Sequence, residues 1–126
     1  MDINLIQLKL RDFVEARNWE QFHSPKNLSM ALAAEAAELL EIFQWLTEEE
    51  SKKILKNDKE MLQVRQEIAD IFIYLARLSD KLNVDIEQAV LDKIALNEIK
   101  YPVELSRNNA TKYNKRNLDT IDKSKG

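Results

Sequence analysis

The sequence predicts an all-α fold, a bundle of four main helices per protomer that is completed by oligomerisation. Residues that break helices are rare, because the 126-residue chain contains one Gly and two Pro. Apolar residues also recur at helical spacing in four long segments. The length suits one domain, which we expect over residues 1–113, followed by a polar tail over residues 114–126 that we expect to be mobile.

Two long helices are predicted in the N-terminal part of the chain. The first runs from about Asn4 to Arg17, where the apolar residues keep a helical register. The second begins at Pro25, because Ser24 followed by proline is typical of an N-cap and the first helical position. Its helical pattern continues to about Leu46.

A short helix and two more long helices follow. The segment Thr47–Glu50 forms a capping box, which predicts the start of a short helix. The third long helix is predicted over Lys59–Leu82. The fourth opens after Asp85 and stops before Tyr101, which precedes a proline.

Two of these helices direct acids toward the surface that they use for packing. At about 100° per residue, Glu35 falls within the apolar stripe of the second helix, and Glu38 lies at the edge of that stripe. On the third helix Glu67 lies within the apolar stripe and Asp70 lies at its edge. Glu41 is turned toward the solvent face. The same offset on both helices predicts that the four inward acids meet.

These acids have two interpretations. They could be edge residues that reach solvent or pair with Lys and Arg. Four carboxylates that meet between helices would repel one another, however, and only Arg77 comes near enough to neutralise any of them. A hard divalent cation resolves the repulsion, and a site without His or Cys favours Mg²⁺, with Mn²⁺ as a possible substitute.

Other polar and aromatic residues fall near this predicted site. Lys93 and Asn97 lie one turn apart within the apolar stripe of the fourth helix. Lys93 could extend its ammonium group to solvent, but beside a metal site we favour Lys93 as a phosphate ligand and Asn97 as a hydrogen-bond partner of the base edge. Trp45 and Tyr74 share the angular sector of the edge acids, so either could stack on a planar base. His23 is the only histidine, and we expect it to have a local structural role.

Composition excludes several other classes of protein. The net charge of −3 argues against a nucleic-acid partner. The absence of Cys excludes a disulfide framework and a thiolate metal site. No segment has the length and apolarity of a membrane span or a signal peptide, so we expect a cytoplasmic protein.

Four segments together resemble one enzyme family. The segments EAAELLEIFQW and EIADIFIYL are similar to the E-x-x-E…E-x-x-D signature of the all-α nucleoside triphosphate pyrophosphohydrolases, the MazG-like superfamily. The flanking segments NWEQFHSPKNL and KYPVELSRNNATKY resemble its dCTP pyrophosphatase branch. The similarity covers about Arg11 to Tyr113.

The resemblance implies a Mg²⁺-dependent enzyme that cleaves a (deoxy)nucleoside triphosphate between the α- and β-phosphates, giving the monophosphate and pyrophosphate. It implies a metal site at Glu35, Glu38, Glu67 and Asp70. Glu38 or Glu35 would also orient or deprotonate the attacking water. It further implies a base pocket at Trp19, Trp45, Tyr74 and Asn97, and a phosphate end at Lys93, Arg107, Lys112 and Tyr113.

The sequence departs from the family pattern at three positions. Ala34 replaces a further Glu of the broader family. Leu10 replaces a His that the dCTP-directed relatives carry in the base pocket, so the base preference stays open between dCTP and a related dNTP. Asn108 replaces the Gly of an S-R-G turn, which Asn tolerates because it adopts positive φ more readily than most residues. The open alternatives are a hydrolase of the same superfamily that acts on dUTP or damaged nucleotides, and a non-enzymatic helical interaction module.

The apolar residues on the second and third helices predict an oligomer. Opposite the acids, the second helix carries Ala33, Ala37 and Leu40, and the third carries Ala69, Phe72 and Ile73. Helices that are apolar on both sides need cover on both sides, which four helices of one protomer hardly provide. We therefore expect a homo-oligomer, and the resemblance implies dimers, often paired into tetramers.

Overall fold

The computed structural model describes residues 1–108 and residue 110, and the described residues are helical with short connections. The helices are α1 (Ile3–Ala16), α2 (Pro25–Phe43), α3 (Glu48–Lys52), α4 (Asp58–Lys81), α5 (Ile86–Lys100) and α6 (Val103–Ser106), and 3₁₀ turns cover Glu20–Phe22 and Ile54–Lys56. The predicted all-α class and its four main helices, α1, α2, α4 and α5, are thereby confirmed.

The N-terminal caps explain where the helices begin. The Ser24 side chain accepts a hydrogen bond from the Asn27 amide (3.1 Å), and Pro25 occupies the first turn of α2. The Thr47 side chain and the Glu50 side chain each accept a hydrogen bond from the other residue's amide, as the predicted capping box requires.

Helix α2 ends three residues earlier than the sequence pattern predicts. Thr47 must be extended to cap α3, and its φ of −72° and ψ of 165° are incompatible with a continued helix. The chain therefore leaves α2 at Phe43 and turns through Gln44 to Leu46. Trp45 lies in this turn rather than on the helix.

Two asparagines end the other long helices of this region. Asn18 after α1 and Asn83 after α4 have φ values of 53° and 54°, in the left-handed region. In each case the amide of the following residue bonds back to the last turn, Trp19 to the Val14 carbonyl (3.0 Å) and Val84 to the Ser79 carbonyl (2.9 Å). These are Schellman motifs in which Asn takes the place of the usual Gly.

The described chain forms two compact units, one over Met1–Asp85 and one that begins at Ile86. In the first unit α4 packs mainly against α2 and also contacts α1. The Gln7 side chain ties α1 to α4 by donating to the Ala76 carbonyl (3.2 Å). Among the described residues the buried apolar side chains are few: Val14, Leu28, Ile54, Val64 and Ala76.

The second unit contains α5 and α6. The apolar side chains of α5 are largely exposed, and Ile99 reaches 76%. Asn108, after α6, has a φ of 62°, so it adopts the conformation for which a Gly would otherwise be expected. The last described residue is 110, so the predicted tail of residues 114–126 lies outside the described residues. The predicted end of the domain at residue 113 therefore stays a prediction.

Candidate active site

Three of the predicted metal ligands meet between α2 and α4. Glu35, Glu38 and Glu67 each place one carboxylate oxygen within 4.8 Å of those of the other two. Their exposure follows the helical angles, since Glu35 and Glu67 are half-buried and Glu38 is exposed. Oxygens at this separation need only small side-chain rotations to surround one cation. We call these three residues the acid cluster.

Two oxygens of the acid cluster are buried and unpaired. Glu35 Oε2 and Glu67 Oε2 have no hydrogen-bond partner among the residues that the structure describes. A buried, unsatisfied polar atom costs about 1–3 kcal/mol, so it requires an explanation. An all-oxygen, anionic donor set with two unpaired atoms fits a hard divalent cation.

The acids also change the protonation of Glu35. The close side-chain interaction with Glu67, together with burial and the proximity of Glu38 and Asp70, raises the pKa of Glu35 from 4.5 to about 7. The neighbouring carboxylates therefore favour the protonated form of Glu35 when no cation is bound.

Asp70 lies close to the acid cluster without joining its tight group of three. Its charge contributes to the raised pKa of Glu35 and also to that of Tyr74. Burial is the main reason that the pKa of Tyr74 is raised, and the charges of Glu35, Asp70 and Glu38 add to it. Tyr74 and Asp70 therefore lie within electrostatic reach of the cluster.

An open cleft of about 470 Å³ gives solvent access to the acids. Glu38 and Glu67 line it together with Glu41. Gln63 and Gln66 also line it, and sequence reasoning did not select them. The signal was available, because Gln63 precedes Glu67 by four residues and Gln66 precedes Asp70 by four residues, the spacing that places two side chains on one face of a helix.

A second, more apolar cavity of about 410 Å³ lies next to Asp70. Its wall includes two of the predicted base-pocket residues, Trp19 and Tyr74. Leu10, the position at which the family pattern has a His, also lines it. We call this cavity the aromatic pocket. Since Asp70 lines the aromatic pocket and acts on Glu35, the pocket and the acid cluster are neighbours.

Local structure holds Trp19 in the wall of the aromatic pocket. Its amide closes the Schellman motif at the end of α1. Its ring meets Phe13 edge to face, with ring centroids 5.8 Å apart and an interplanar angle of 74°. The Arg17 guanidinium lies 3.6 Å from the Phe13 ring centroid, on the same aromatic pair.

The other predicted substrate residues lie in the turn after α2, in the second unit or outside the described residues. Trp45 is 86% exposed in the turn after α2 and is not part of the lining of the aromatic pocket. Lys93 and Asn97 are exposed on α5, and Arg107 is exposed after α6. Lys112 and Tyr113 lie outside the described residues.

Arg77, the one basic residue expected near the acids, is engaged elsewhere. Arg77 is 2% exposed, and its guanidinium forms ion pairs with Glu20 (3.1 Å) and Asp80 (3.6 Å). The positive charge of Arg77 is therefore compensated by Glu20 and Asp80, which are not part of the acid cluster.

We predict that lowering the pH stabilises the metal-free protein through protonation of Glu35. A carboxyl whose pKa is about 7 in the folded state and 4.5 when unfolded binds a proton more tightly when folded. The free energy of unfolding should therefore rise as the pH falls from 8 to 6, relative to that of Glu35→Gln. Urea denaturation in EDTA measures this difference, and a difference that does not change with pH would contradict the prediction.

None of the helices that the structure describes has the combination of length and hydropathy that a membrane span requires.

The chain is similar in sequence and in structure to known proteins. The model of the MazG-like family matches residues 30–115. The chain is 45% identical over 102 residues to dCTP pyrophosphatase 1 of Bos taurus and 40% identical over 102 residues to that of Homo sapiens. Both alignments cover 81% of this chain, which spans about 60% of the length of these relatives. The solved structure of a pyrophosphatase from Archaeoglobus fulgidus is similar with a TM-score of 0.75 and 40% identity, over 81% of this chain and 94% of that one.

Proposed function

The chain belongs to the MazG-like family, and from this premise we propose that it is a Mg²⁺-dependent nucleoside triphosphate pyrophosphohydrolase. It would hydrolyse a dNTP to the monophosphate and pyrophosphate. The observation that carries this proposal is the meeting of Glu35, Glu38 and Glu67, with two unpaired buried oxygens, beside an aromatic pocket. An acidic metal site next to an apolar cavity suits a ligand that is a triphosphate at one end and a base at the other.

The proposed substrate is dCTP or a closely related or modified dNTP. The curated relatives, at 40–45% identity, are dCTP pyrophosphatases. Leu10 in the aromatic pocket is the observation that favours a second candidate, a hydrolase of dUTP or a damaged nucleotide, because an apolar side chain there offers no hydrogen bond to a base. Either activity would suit a role in cleansing the nucleotide pool, inside the cell where such substrates are made and used.

The metal would be held by Glu35, Glu38, Glu67 and Asp70. Mg²⁺ is the preferred ion of such a site and Mn²⁺ a substitute, since both favour carboxylate oxygens. Bound Mg²⁺ would supply positive charge to the phosphates and lower the pKa of water.

The side chains supply positioning and proton transfer. Glu38 is the most exposed member of the acid cluster and lines the open cleft, so it is the proposed base that orients a water for in-line attack on the α-phosphorus, with Glu35 as the alternative. Trp19 and Tyr74 would stack on the base. Lys93, Arg107 and Lys112 would neutralise the charge of the leaving pyrophosphate, and Tyr113 would donate a hydrogen bond to it. Asn97 and Trp45 would complete the base site.

Turnover with Mg²⁺ and a panel of canonical and modified dNTPs tests this function. We expect dCTP or a near relative to give monophosphate and pyrophosphate, and Glu49→Gln, a surface change on α3, to behave as wild type. No turnover of any nucleotide, together with no effect of Mg²⁺ on the melting temperature, would favour the non-enzymatic interaction module.

The exposed apolar faces support the proposed homo-oligomer. Ala33, Ala37 and Leu40 on α2 and Ala69 on α4 are exposed, while Phe72 and Ile73 are half-buried. Leu40 alone is 60% exposed. Faces of this kind are covered in most proteins, so a second protomer would bury them.

We predict a dimer, or a dimer of dimers, in solution. Light scattering should give at least twice the chain mass of 14.7 kDa, and Leu40→Glu should lower that mass because it places a charge in the apolar face. A wild-type monomer at micromolar concentration would contradict the proposal.

A further inference from the structure

The open cleft beside the acid cluster is lined by few hydrogen-bond donors. Among the described residues that line it, three are acids and one is apolar: Glu38, Glu41, Glu67 and Ile42. An ionised carboxylate only accepts hydrogen bonds, whereas the side-chain amide of a glutamine both donates and accepts. Within this lining, a side-chain donor can therefore come only from Gln63 or Gln66.

Gln63 lies nearer to the face of α4 that carries the acids than Gln66 does. At about 100° per residue, Gln63 lies one turn before Glu67 and within about 40° of it. Gln66 is turned about 100° away from Glu67. Since Glu38 lines the same cleft from α2, Gln63 and Glu38 lie on opposite walls of the space above Glu67.

The side-chain amide of Gln63 has no structural partner in the described part of the chain. It is exposed and forms no hydrogen bond to another described residue. Two other glutamines of the first unit use their amides to hold the backbone, because Gln7 donates to the Ala76 carbonyl (3.2 Å) and Gln21 to the Asn18 carbonyl (3.0 Å). The amide of Gln63 is therefore available to a ligand in the cleft.

A water that attacks phosphorus needs two acceptors for its protons, and the phosphate needs donors for its charged oxygens. Glu38, the proposed base, accepts one of these protons. One amide supplies both of the remaining contacts, since its oxygen accepts the second proton and its nitrogen donates to the phosphate. The amide is uncharged, so it does not repel a phosphate as a further carboxylate would. Glutamine orients the attacking water in GTPases for the same reasons.

We propose that Gln63 is a further catalytic residue, whose Oε1 accepts a hydrogen bond from the attacking water and whose Nε2 donates to a non-bridging oxygen of the α-phosphate. This inference rests on the proposed function, because it assumes that Glu38 takes the other proton of that water. The water oxygen forms a bond to the α-phosphorus, and the bond from phosphorus to the bridging oxygen breaks. The electron pair of the broken bond leaves with pyrophosphate, and Gln63 neither gains nor loses a proton.

Gln63→Met tests this role, because it keeps the length and the helix propensity of the side chain but has no amide. We expect kcat for dCTP, or for the best nucleotide of the panel, to fall roughly 10- to 100-fold. KM should stay within about threefold of wild type, since the lost contacts are made mainly in the transition state. Gln44→Met is the matched control, at an exposed residue that lines neither the open cleft nor the aromatic pocket, and it should keep wild-type kinetics.

Melting temperatures with and without Mg²⁺ separate this role from a structural or a metal-binding one. Without Mg²⁺, Gln63→Met should melt within about 2 °C of wild type, because an exposed side chain without a partner contributes little to stability. Mg²⁺ should raise the melting temperatures of both proteins equally, because Gln63 is not a proposed metal ligand.

The outcomes distinguish this inference from the proposed function. Wild-type turnover with an unchanged kcat in Gln63→Met overturns the role of Gln63 and leaves the proposed enzyme in place. A loss of the Mg²⁺ shift in Gln63→Met, or a loss of kcat that occurs only in Gln66→Met, also overturns the role of Gln63. If wild type turns over no nucleotide of the panel, the proposed function is wrong and this inference is wrong with it.

Discussion

Glu38→Gln should reduce turnover at least about 100-fold while the helices stay intact, because an amide neither accepts a proton from water nor provides the same negative charge for a cation. Glu38 is exposed and lines the open cleft, so this change leaves the packing between α2 and α4 untouched. Initial rates with the best nucleotide of the panel measure the effect. Circular dichroism and the melting temperature check that the variant is folded.

Glu49→Gln is the matched control for that experiment. It removes one negative charge from a residue on α3 whose side chain is 75% exposed and pairs only with Lys52 among the described residues. We expect it to keep wild-type turnover. Substantial activity in Glu38→Gln, with Glu49→Gln unchanged, would refute the assignment of Glu38.

Glu67→Gln should remove most of the stabilisation that Mg²⁺ gives to the folded protein. A ligand at 100 times its dissociation constant stabilises a protein by about 2.7 kcal/mol, which corresponds to roughly 10 °C in melting temperature for a chain of this size. In the variant, one of the two unpaired buried oxygens becomes part of an amide that can donate to Glu35. Differential scanning calorimetry with and without Mg²⁺ measures both temperatures.

The metal-free variant gives a second readout of the same change. Without Mg²⁺ at pH 8, Glu67→Gln should be more stable than wild type by about 1–3 kcal/mol, because an unsatisfied pair of carboxylates is relieved. Glu60→Gln, two turns earlier on α4, is the control and should keep the full effect of Mg²⁺. An equal Mg²⁺ shift in wild type and Glu67→Gln would argue that the acid cluster holds no metal.

Helical periodicity was enough to predict the acid cluster. On a straight helix the angle of each side chain follows from its position in the chain, so Glu35 and Glu67 were expected inward and Glu38 at the edge. The structure agrees with this order of exposure. The caps at Ser24 and Thr47 were equally local, and they place the starts of α2 and α3 as predicted.

Residues whose positions depend on tertiary packing or on a helix end were not predictable in this way. Trp45 was assigned an angle on α2, but the helix ends at Phe43 because Thr47 requires an extended conformation. The contact between Arg77 and His23 joins residues 54 positions apart, across two elements, and no periodicity within one helix reports it. The family resemblance supplied Trp19, which lies in an irregular connection where angles carry no information.

The destination of the oxygen from water tests the central claim most directly. When dCTP, or the best nucleotide of the panel, is hydrolysed with Mg²⁺ in ¹⁸O-labelled water, the account predicts monophosphate that carries one ¹⁸O and pyrophosphate that carries none, because water attacks the α-phosphorus. Mass spectrometry of the products resolves the two. Label in the pyrophosphate, or release of a diphosphate with inorganic phosphate, would contradict it.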